Sequence, residues 1–148
     1  MIGKRYLMAG LLLVGSGAAQ GACDFRIEVG DTMLYGLDEM VVEKGCETIG
    51  VTLEHTGDLP KIAMGHNWVL AKTGDVAAIA TDGMAAGLDN DYLKPGDARV
   101  IAATEVIGAG ETTSIRFSPA DLKAGEDYTF FCSFPGHYTV MKGRFIVE

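Results

Sequence analysis

Residues 130–143 read FFCSFPGHYTVMKG. They contain a thiol at Cys132, an imidazole at His137 and a thioether at Met141, in the spacing C-x4-H-x3-M. Sulfur donors with imidazole suit copper, and cysteine with histidine and a weak axial methionine is the ligand set of blue electron-transfer sites. Such a site needs a second histidine, which residues 65–68, GHNW, supply from far upstream. The two segments together predict a mononuclear copper site.

A reversal of the chain accounts for this spacing. Residues 128–131, YTFF, form an aromatic-rich run that predicts a strand ending at Cys132. The pair Pro135-Gly136 is a turn signal that would bring His137 back beside the cysteine. The next strand is predicted over 143–147. This loop would hold one side of the metal, and the upstream histidine would close the other side.

The rest of the chain predicts an all-β domain. Apolar residues alternate with polar ones in four segments, 25–29, 49–55, 113–117 and 145–147. Period two is typical of half-buried strands in antiparallel sheets, and several such strands at regular spacing indicate a β-sandwich.

One segment departs from this pattern. Residues 75–86 are rich in alanine and carry apolar residues at helical spacing, so we expect one helix inserted between strands. Asp75 is its predicted N-cap. Residues 88–96 would then form a long connector.

Residues 1–20 predict a secretory signal peptide. Lys4-Arg5 forms a basic start, residues 6–14 form an apolar run, and a small-residue tail follows. The apolar run is too short to span a bilayer, and we expect cleavage between residues 19 and 22. The remaining chain, 21–148, is expected to be a single domain exported to the periplasm.

The composition argues against a nucleic-acid partner. The chain has 12 basic and 20 acidic residues and a net charge of −8. Without Lys4 and Arg5, ten basic residues remain against 20 acidic ones, which gives −10. Nucleic-acid binding depends on clustered basic residues, whereas acidic charge bears on solubility and association rather than on fold.

Three cysteines remain after export to an oxidising compartment, so two can pair and one is left over. Because the copper site uses Cys132, we expect Cys23 and Cys46 to form a disulfide. It would close a loop of about 22 residues and stabilise the fold by roughly 3 kcal/mol through chain entropy. A lipoprotein with the lipid on Cys23 is the alternative, although Gln20 is a poor residue three positions before a lipidated cysteine.

Four blocks of sequence resemble one protein family. They are 64–70 (MGHNWVL), 81–85 (TDGMA), 91–95 (DYLKP) and 130–143. From about Ala22 to the C-terminus, the chain resembles the azurins, the small bacterial blue-copper proteins of the cupredoxin family. The resemblance implies an eight-stranded Greek-key β-sandwich with the 75–86 helix outside it, and one copper ion that alternates between Cu(I) and Cu(II).

The resemblance also gives roles to individual residues. His66, Cys132 and His137 would be the equatorial copper ligands. Met141 would be the long axial ligand, and the carbonyl oxygen of Gly65 would lie opposite it.

Around the ligands, the resemblance implies two kinds of supporting residue. Asn67 would hydrogen-bond the backbone near Cys132 and so fix the ligand segments relative to each other, and Phe134 would lie beside the ligands. An apolar docking patch would surround His137, made of Leu59, Ala63, Met64, Met84, Phe134, Pro135, Gly136 and Val140.

Two further residues have ordinary structural explanations. Trp68 is expected to be a core aromatic residue, with a role as a way-station for electrons as the alternative. His55 shares a strand face with the apolar residues of 49–53, so we expect a buried neutral histidine rather than a ligand.

The sequence thus predicts a carrier of single electrons that is not an enzyme. Its partners would be redox proteins, such as a c-type cytochrome or a periplasmic reductase or dehydrogenase, and the carrier itself would be a monomer. A copper-delivery protein with no electron partner is the alternative of a different functional class.

Cys132 could have other roles. A buried structural thiol is the ordinary fate of a free cysteine. A cysteine–histidine hydrolase would need orienting and oxyanion groups, but the neighbouring residues are apolar. Zinc also binds cysteine and histidine, and Met141 argues against it. A binuclear copper centre needs a second cysteine in the loop, and a copper nitrite reductase needs more than the three histidines present.

Overall fold

The computed structural model describes residues 22–148. The predicted signal peptide, 1–20, lies outside the described residues. Within them, the chain forms eight strands: β1 Asp24–Val29, β2 Glu39–Val42, β3 Ile49–His55, β4 Val69–Lys72, β5 Ala102–Ala103, β6 Thr112–Phe117, β7 Tyr128–Phe131 and β8 Lys142–Val147. The all-β prediction is therefore confirmed, and each segment with alternating residues forms a strand.

The strands form a sandwich of two sheets, in the orders β1-β3-β6 and β2-β8-β7-β4-β5. β1 pairs with β3, and β2 with β8, in parallel. The other pairs are antiparallel. β3 and β4 lie in different sheets, as do β5 and β6. The chain therefore crosses between the sheets, as in a Greek-key sandwich.

Period-two alternation places the main core between the sheets. In β3, Ile49, Val51 and Leu53 are buried on one face, as the pattern predicts. Phe130 of β7 and the indole of Trp68 stack in the same core, with ring centroids 6.3 Å apart. The prediction that Trp68 is a core aromatic residue is confirmed.

The central strand β7 is buried on both faces. Phe130 faces the main core, while Phe131 packs in a second cluster with Ile79 of α2 (Val76–Met84). The inserted helix therefore covers the outer face of the five-stranded sheet. Because both faces are covered, the run YTFF is apolar or aromatic at nearly every position rather than alternating.

The helix differs in detail from its prediction. A 3₁₀ turn, Thr73–Asp75, leads into α2, so Asp75 already has helical backbone angles (φ −95°, ψ −16°) and makes no side-chain capping bond. Asp75 is at the N-cap position of α2, as predicted, but its side chain does not cap the helix, because a capping residue has extended backbone. A second helix, α1 (Lys61–Met64), was not predicted. It has four residues, too few for helical periodicity to appear in the sequence.

The disulfide prediction is confirmed: Cys23 and Cys46 are bonded, with Cα atoms 5.6 Å apart. The bond lies where the chain passes from one sheet to the other. Ala22 forms a bridge with Val42 beside β2, whereas Asp24 already pairs with Gly50 of β3. Neither helix in the described part of the chain has the length and apolar character needed to cross a membrane.

Candidate metal centre

Three predicted ligands converge at one end of the sandwich. Single donor atoms of His66, Cys132 and His137 all lie within 4.8 Å of one another. The sulfur of Cys132 is 3.9 Å from Nδ1 of His66 and 3.6 Å from Nδ1 of His137. All three side chains are buried.

The loop after β7 brings two of these donors together through the predicted chain reversal. The turn places Gly136 at φ +86°, in the left-handed region that favours glycine. His137 then begins a 3₁₀ turn, and its carbonyl accepts a hydrogen bond from the Met141 N–H at 2.8 Å. The Cys132 N–H donates to the Met141 carbonyl at 3.1 Å. The loop is therefore closed by its own backbone.

His66 enters from the opposite side on a rigid backbone segment. Its N–H and carbonyl exchange hydrogen bonds with Ile107 at 3.0 and 2.8 Å. Its Nε2 lies 2.8 Å from the Gly30 carbonyl oxygen. Because a carbonyl can only accept, Nε2 carries the proton, and the lone pair of Nδ1 faces the Cys132 sulfur. The imidazole is thus oriented and in the ligating tautomer.

The last two predicted ligands adjoin this cluster. The Gly65 carbonyl oxygen is 4.0 Å from the Cys132 sulfur. A Cβ on Gly65 would meet the Lys61 carbonyl at 2.4 Å and a Val106 methyl at 2.6 Å, so glycine is required here. Met141 is fully buried next to Cys132 through the backbone bond described above.

The donor atoms are uncharged near neutral pH. Burial raises the pKa of Cys132 to about 12, against the opposing effect of hydrogen bonds from the backbone N–H groups of Asn67 and Phe134. Burial likewise lowers the pKa of His66 to about 4, although its bond to Gly30 favours the charged form. The pKa of His137 is also lowered by burial. Two imidazole nitrogens and a sulfur in a dry site are donors that suit copper.

Comparison with known proteins agrees with this chemistry. The profile of a family described as "Copper binding proteins, plastocyanin/azurin family" matches residues 21–148. The chain belongs to the plastocyanin/azurin family. A member of this family with these donors binds one copper ion.

Individual members of the family are similar over most of the chain. An azurin of Alcaligenes faecalis is 58% identical over 82% of this chain and 95% of its own. An azurin of Pseudomonas chlororaphis is 54% identical over 85% and 98%, respectively. Among solved structures, an azurin (Az-iso2) of Methylomonas sp. strain J has a TM-score of 0.83 and 46% identity, covering 86% of this chain and 99% of the other.

Asn67 makes the expected hydrogen bond to the backbone next to Cys132. Its side-chain oxygen accepts from the Ser133 N–H at 2.9 Å, and its amide nitrogen donates to the Ser133 hydroxyl at 2.8 Å. The two segments that carry His66 and Cys132 are therefore joined by one buried side chain. The Phe134 ring lies beside His137, with centroids 4.6 Å apart.

The predicted patch residues are mostly at the surface. Met64 and Phe134 are half-buried, and the other six members of the predicted docking patch are exposed. Four further exposed apolar side chains in the described part of the chain were not predicted: Met33, Leu34, Ile62 and Ile101. Ile62 lies in α1 beside Ala63. Because Ala63 is a predicted patch member, this position could have indicated that Ile62 belongs to the same surface.

His55 is held away from the ligand set, as predicted. Its Nε2 lies 3.1 Å from the Met64 carbonyl, and its Nδ1 accepts from the Gly57 N–H at 3.2 Å. Both ring nitrogens are therefore engaged with backbone, while the ring stacks on His66 with centroids 5.3 Å apart. His55 supports the orientation of its neighbour by packing.

Proposed function

We propose that this protein carries single electrons between redox proteins in the periplasm. In this proposal His66, Cys132 and His137 would hold one copper ion, with Met141 as a weaker donor and the Gly65 carbonyl oxygen nearby. The observation that carries the proposal is the convergence of two imidazoles and a thiol, all buried, in a member of a copper-binding family.

The surrounding chain suits electron transfer because it keeps the donors fixed. A bound copper ion would supply the one-electron couple between Cu(I) and Cu(II). The Gly30 carbonyl fixes one imidazole, and Asn67 fixes the backbone that follows Cys132. Burial keeps water from the donors, and a site that changes little between two charge states exchanges electrons at low cost in reorganisation.

His137 is the proposed point of entry for the electron. It is 4% exposed, whereas His66 and Cys132 are 0% exposed. The docking patch around it is uncharged in a chain whose predicted mature charge is −10. Exposed apolar patches usually mark interaction sites, and small contacts suit transient redox complexes. A c-type cytochrome or a periplasmic reductase or dehydrogenase would dock there.

Two features support export and a role other than catalysis. The Cys23–Cys46 disulfide belongs in an oxidising compartment such as the periplasm, which agrees with the predicted signal peptide. Cys132 is fully buried. A hydrolytic cysteine needs access to its substrate, so the chain is proposed to transform none.

Stopped-flow mixing with a reduced c-type cytochrome tests this proposal. The Cu(II) protein should oxidise the cytochrome in a second-order reaction and return to the Cu(II) state when an oxidant follows. A copper-delivery protein would instead lose its copper to a metal-free acceptor and exchange electrons slowly. Slow exchange together with transfer of copper would overturn the proposal.

A further inference from the structure

We propose that the turn at Asp91-Tyr92 in the connector is a positioning element for residues 132–141, the loop between β7 and β8. This loop is called the copper loop below. In this inference Asp91 sets the reduction potential of bound copper through Ser133. The inference rests on the proposed function and deepens it. It concerns a segment that carries no predicted ligand.

The turn is bonded to both ligand segments. The Ser133 hydroxyl donates to the Asp91 carbonyl at 2.7 Å, and the Asn67 amide nitrogen lies 3.4 Å from the same oxygen. The Asp91 carboxylate accepts from the Val106 N–H at 2.7 Å. One residue of the connector therefore fastens the loop after Cys132 to the backbone next to Ile107, the partner of His66.

The turn has little freedom to shift. Asp91 and Tyr92 are the two non-glycine residues of the described chain with positive φ, +54° and +51°. A Cβ on Gly83 of α2 would come within 2.0 Å of the Tyr92 carbonyl oxygen, so helix and turn are in close contact. On its other side, the Tyr92 ring meets the Phe134 ring edge-on, with centroids 5.2 Å apart. The turn is thus wedged between α2 and the copper loop.

The route to the copper potential runs through the sulfur. Ser133 lies between Cys132 and Phe134, and the backbone N–H of Phe134 is one of the groups that favour the thiolate form of Cys132 and so oppose the rise of its pKa. A hydrogen bond to a thiolate withdraws charge from it, and such bonds tune the potential of blue-copper sites. If Asp91 no longer holds Ser133, the N–H bond to sulfur weakens, less charge is withdrawn and the potential falls.

A set of variants separates positioning from stability. Asp91→Ala removes the side-chain oxygen that accepts from the Val106 N–H. It also replaces aspartate, which tolerates left-handed backbone angles, by a residue that does not. Asp91→Asn keeps a side-chain acceptor and the same tolerance. Asp97→Ala is the matched control: Asp97 lies in the same segment between α2 and β5, and its carboxylate binds Arg99 rather than the copper loop. Ser133→Ala removes the hydroxyl through which Asp91 would act.

Two measurements are needed on each variant. Spectroelectrochemistry gives the reduction potential of the copper form, and amide hydrogen exchange of Ser133 and Phe134 is followed in the metal-free protein. Asp91→Ala should lower the potential and speed exchange at both amides by about tenfold or more through local opening. Asp91→Asn and Asp97→Ala should resemble the wild type in both measurements. In a Ser133→Ala background, Asp91→Ala should add no further change in potential.

An unchanged potential in Asp91→Ala, or the same shift in Asp97→Ala, would overturn the inference and leave Asp91 a structural residue. Equal shifts with and without the Ser133 hydroxyl would also overturn it. The hydrogen-exchange measurement uses metal-free protein, so it tests the positioning contact even if the proposed electron transfer is wrong.

Discussion

Cys132 keeps its proton in the metal-free protein. Burial holds its pKa at about 12, while the pKa of His66 is lowered to about 4, so near pH 7 the sulfur is protonated and the imidazole is not. A metal binds the thiolate rather than the thiol, so binding must displace that proton. The site therefore stays neutral until a cation arrives.

Copper binding should release about one proton per ion near pH 7. Adding Cu(II) to metal-free protein in weak buffer with an indicator dye measures this release. Near and above pH 7 the apparent affinity should rise about tenfold per pH unit, because burial keeps both histidine ligands unprotonated there and only the thiol proton competes. At lower pH, protonation of the histidines adds further competition, with His66 protonated below about pH 4. The Cys132→Ser variant is the control and should release no proton; release of none by the wild type would contradict the ligand role.

The individual ligands could be foreseen from the sequence because cysteine, histidine and methionine have specific metal chemistry. The orientation of His66 could not, since it depends on a backbone carbonyl at Gly30, and any residue type provides that atom. The hydrogen bond from Ser133 to Asp91 could not be predicted either, because its acceptor is also a backbone carbonyl. Sequence patterns record side chains, whereas these contacts are made to the main chain.

At the scale of elements, β3 separates the disulfide from the metal centre. Its first residue, Ile49, is near Cys46, and its last, His55, stacks on His66. Seven residues of strand at about 3.3 Å each place the two features roughly 20 Å apart. The disulfide fastens the crossing between sheets and is remote from copper.

Replacing Cys23 and Cys46 with alanine should lower the free energy of unfolding by roughly 2–5 kcal/mol, as for disulfides of small secreted domains. Urea unfolding of the metal-free protein measures the loss. The reduced wild type is the control and should lose a similar amount. The visible spectrum of the copper form should not change; a changed spectrum at unaltered stability would contradict the assigned separation.

β1, β3, β6 and β8 were predictable because one face of each contacts a core, which forces alternation of apolar and polar residues. α2 was predictable in place for the same reason, with bounds of Val76–Met84 rather than 75–86. β7 was predictable from its aromatic run instead, because both of its faces are buried. The turn at Asp91-Tyr92 was not, because its positive φ angles are imposed by packing against α2 and the copper loop. Neither residue of the turn is a glycine, which is the residue type that usually indicates positive φ angles.

At the scale of the whole molecule, the described residues 22–148 form six ion pairs or small ion clusters on the surface, and none of them includes a member of the predicted docking patch. The paired basic residues are Arg26, Lys61, Lys72, Arg99, Arg116 and Arg144. The patch thus differs from the rest of a charged surface. It is the proposed route by which two molecules exchange electrons.

A charge within the predicted docking patch should block this contact. Met84 is 47% exposed at the end of α2. Met84→Lys should slow electron self-exchange by about tenfold or more, because like charges meeting across an interface cost several kcal/mol. NMR line broadening in mixtures of Cu(I) and Cu(II) protein gives the rate.

Ala78→Lys is the matched control for net charge. Ala78 is exposed on the same helix and is not a member of the docking patch. It changes the charge of the molecule by the same amount and should leave the self-exchange rate close to that of the wild type. Equal rates for the two lysine variants would remove the docking patch from the proposed route.

Cys132 is proposed to bind copper as a thiolate together with two histidines. The most direct measurement is the visible spectrum of metal-free protein titrated with Cu(II), beside the Cys132→Ser variant. The wild type should become intensely blue with one equivalent, through charge transfer from thiolate to copper. The variant should remain folded, as judged by circular dichroism, without the blue band. A wild type that binds one equivalent of copper and stays colourless would contradict the claim.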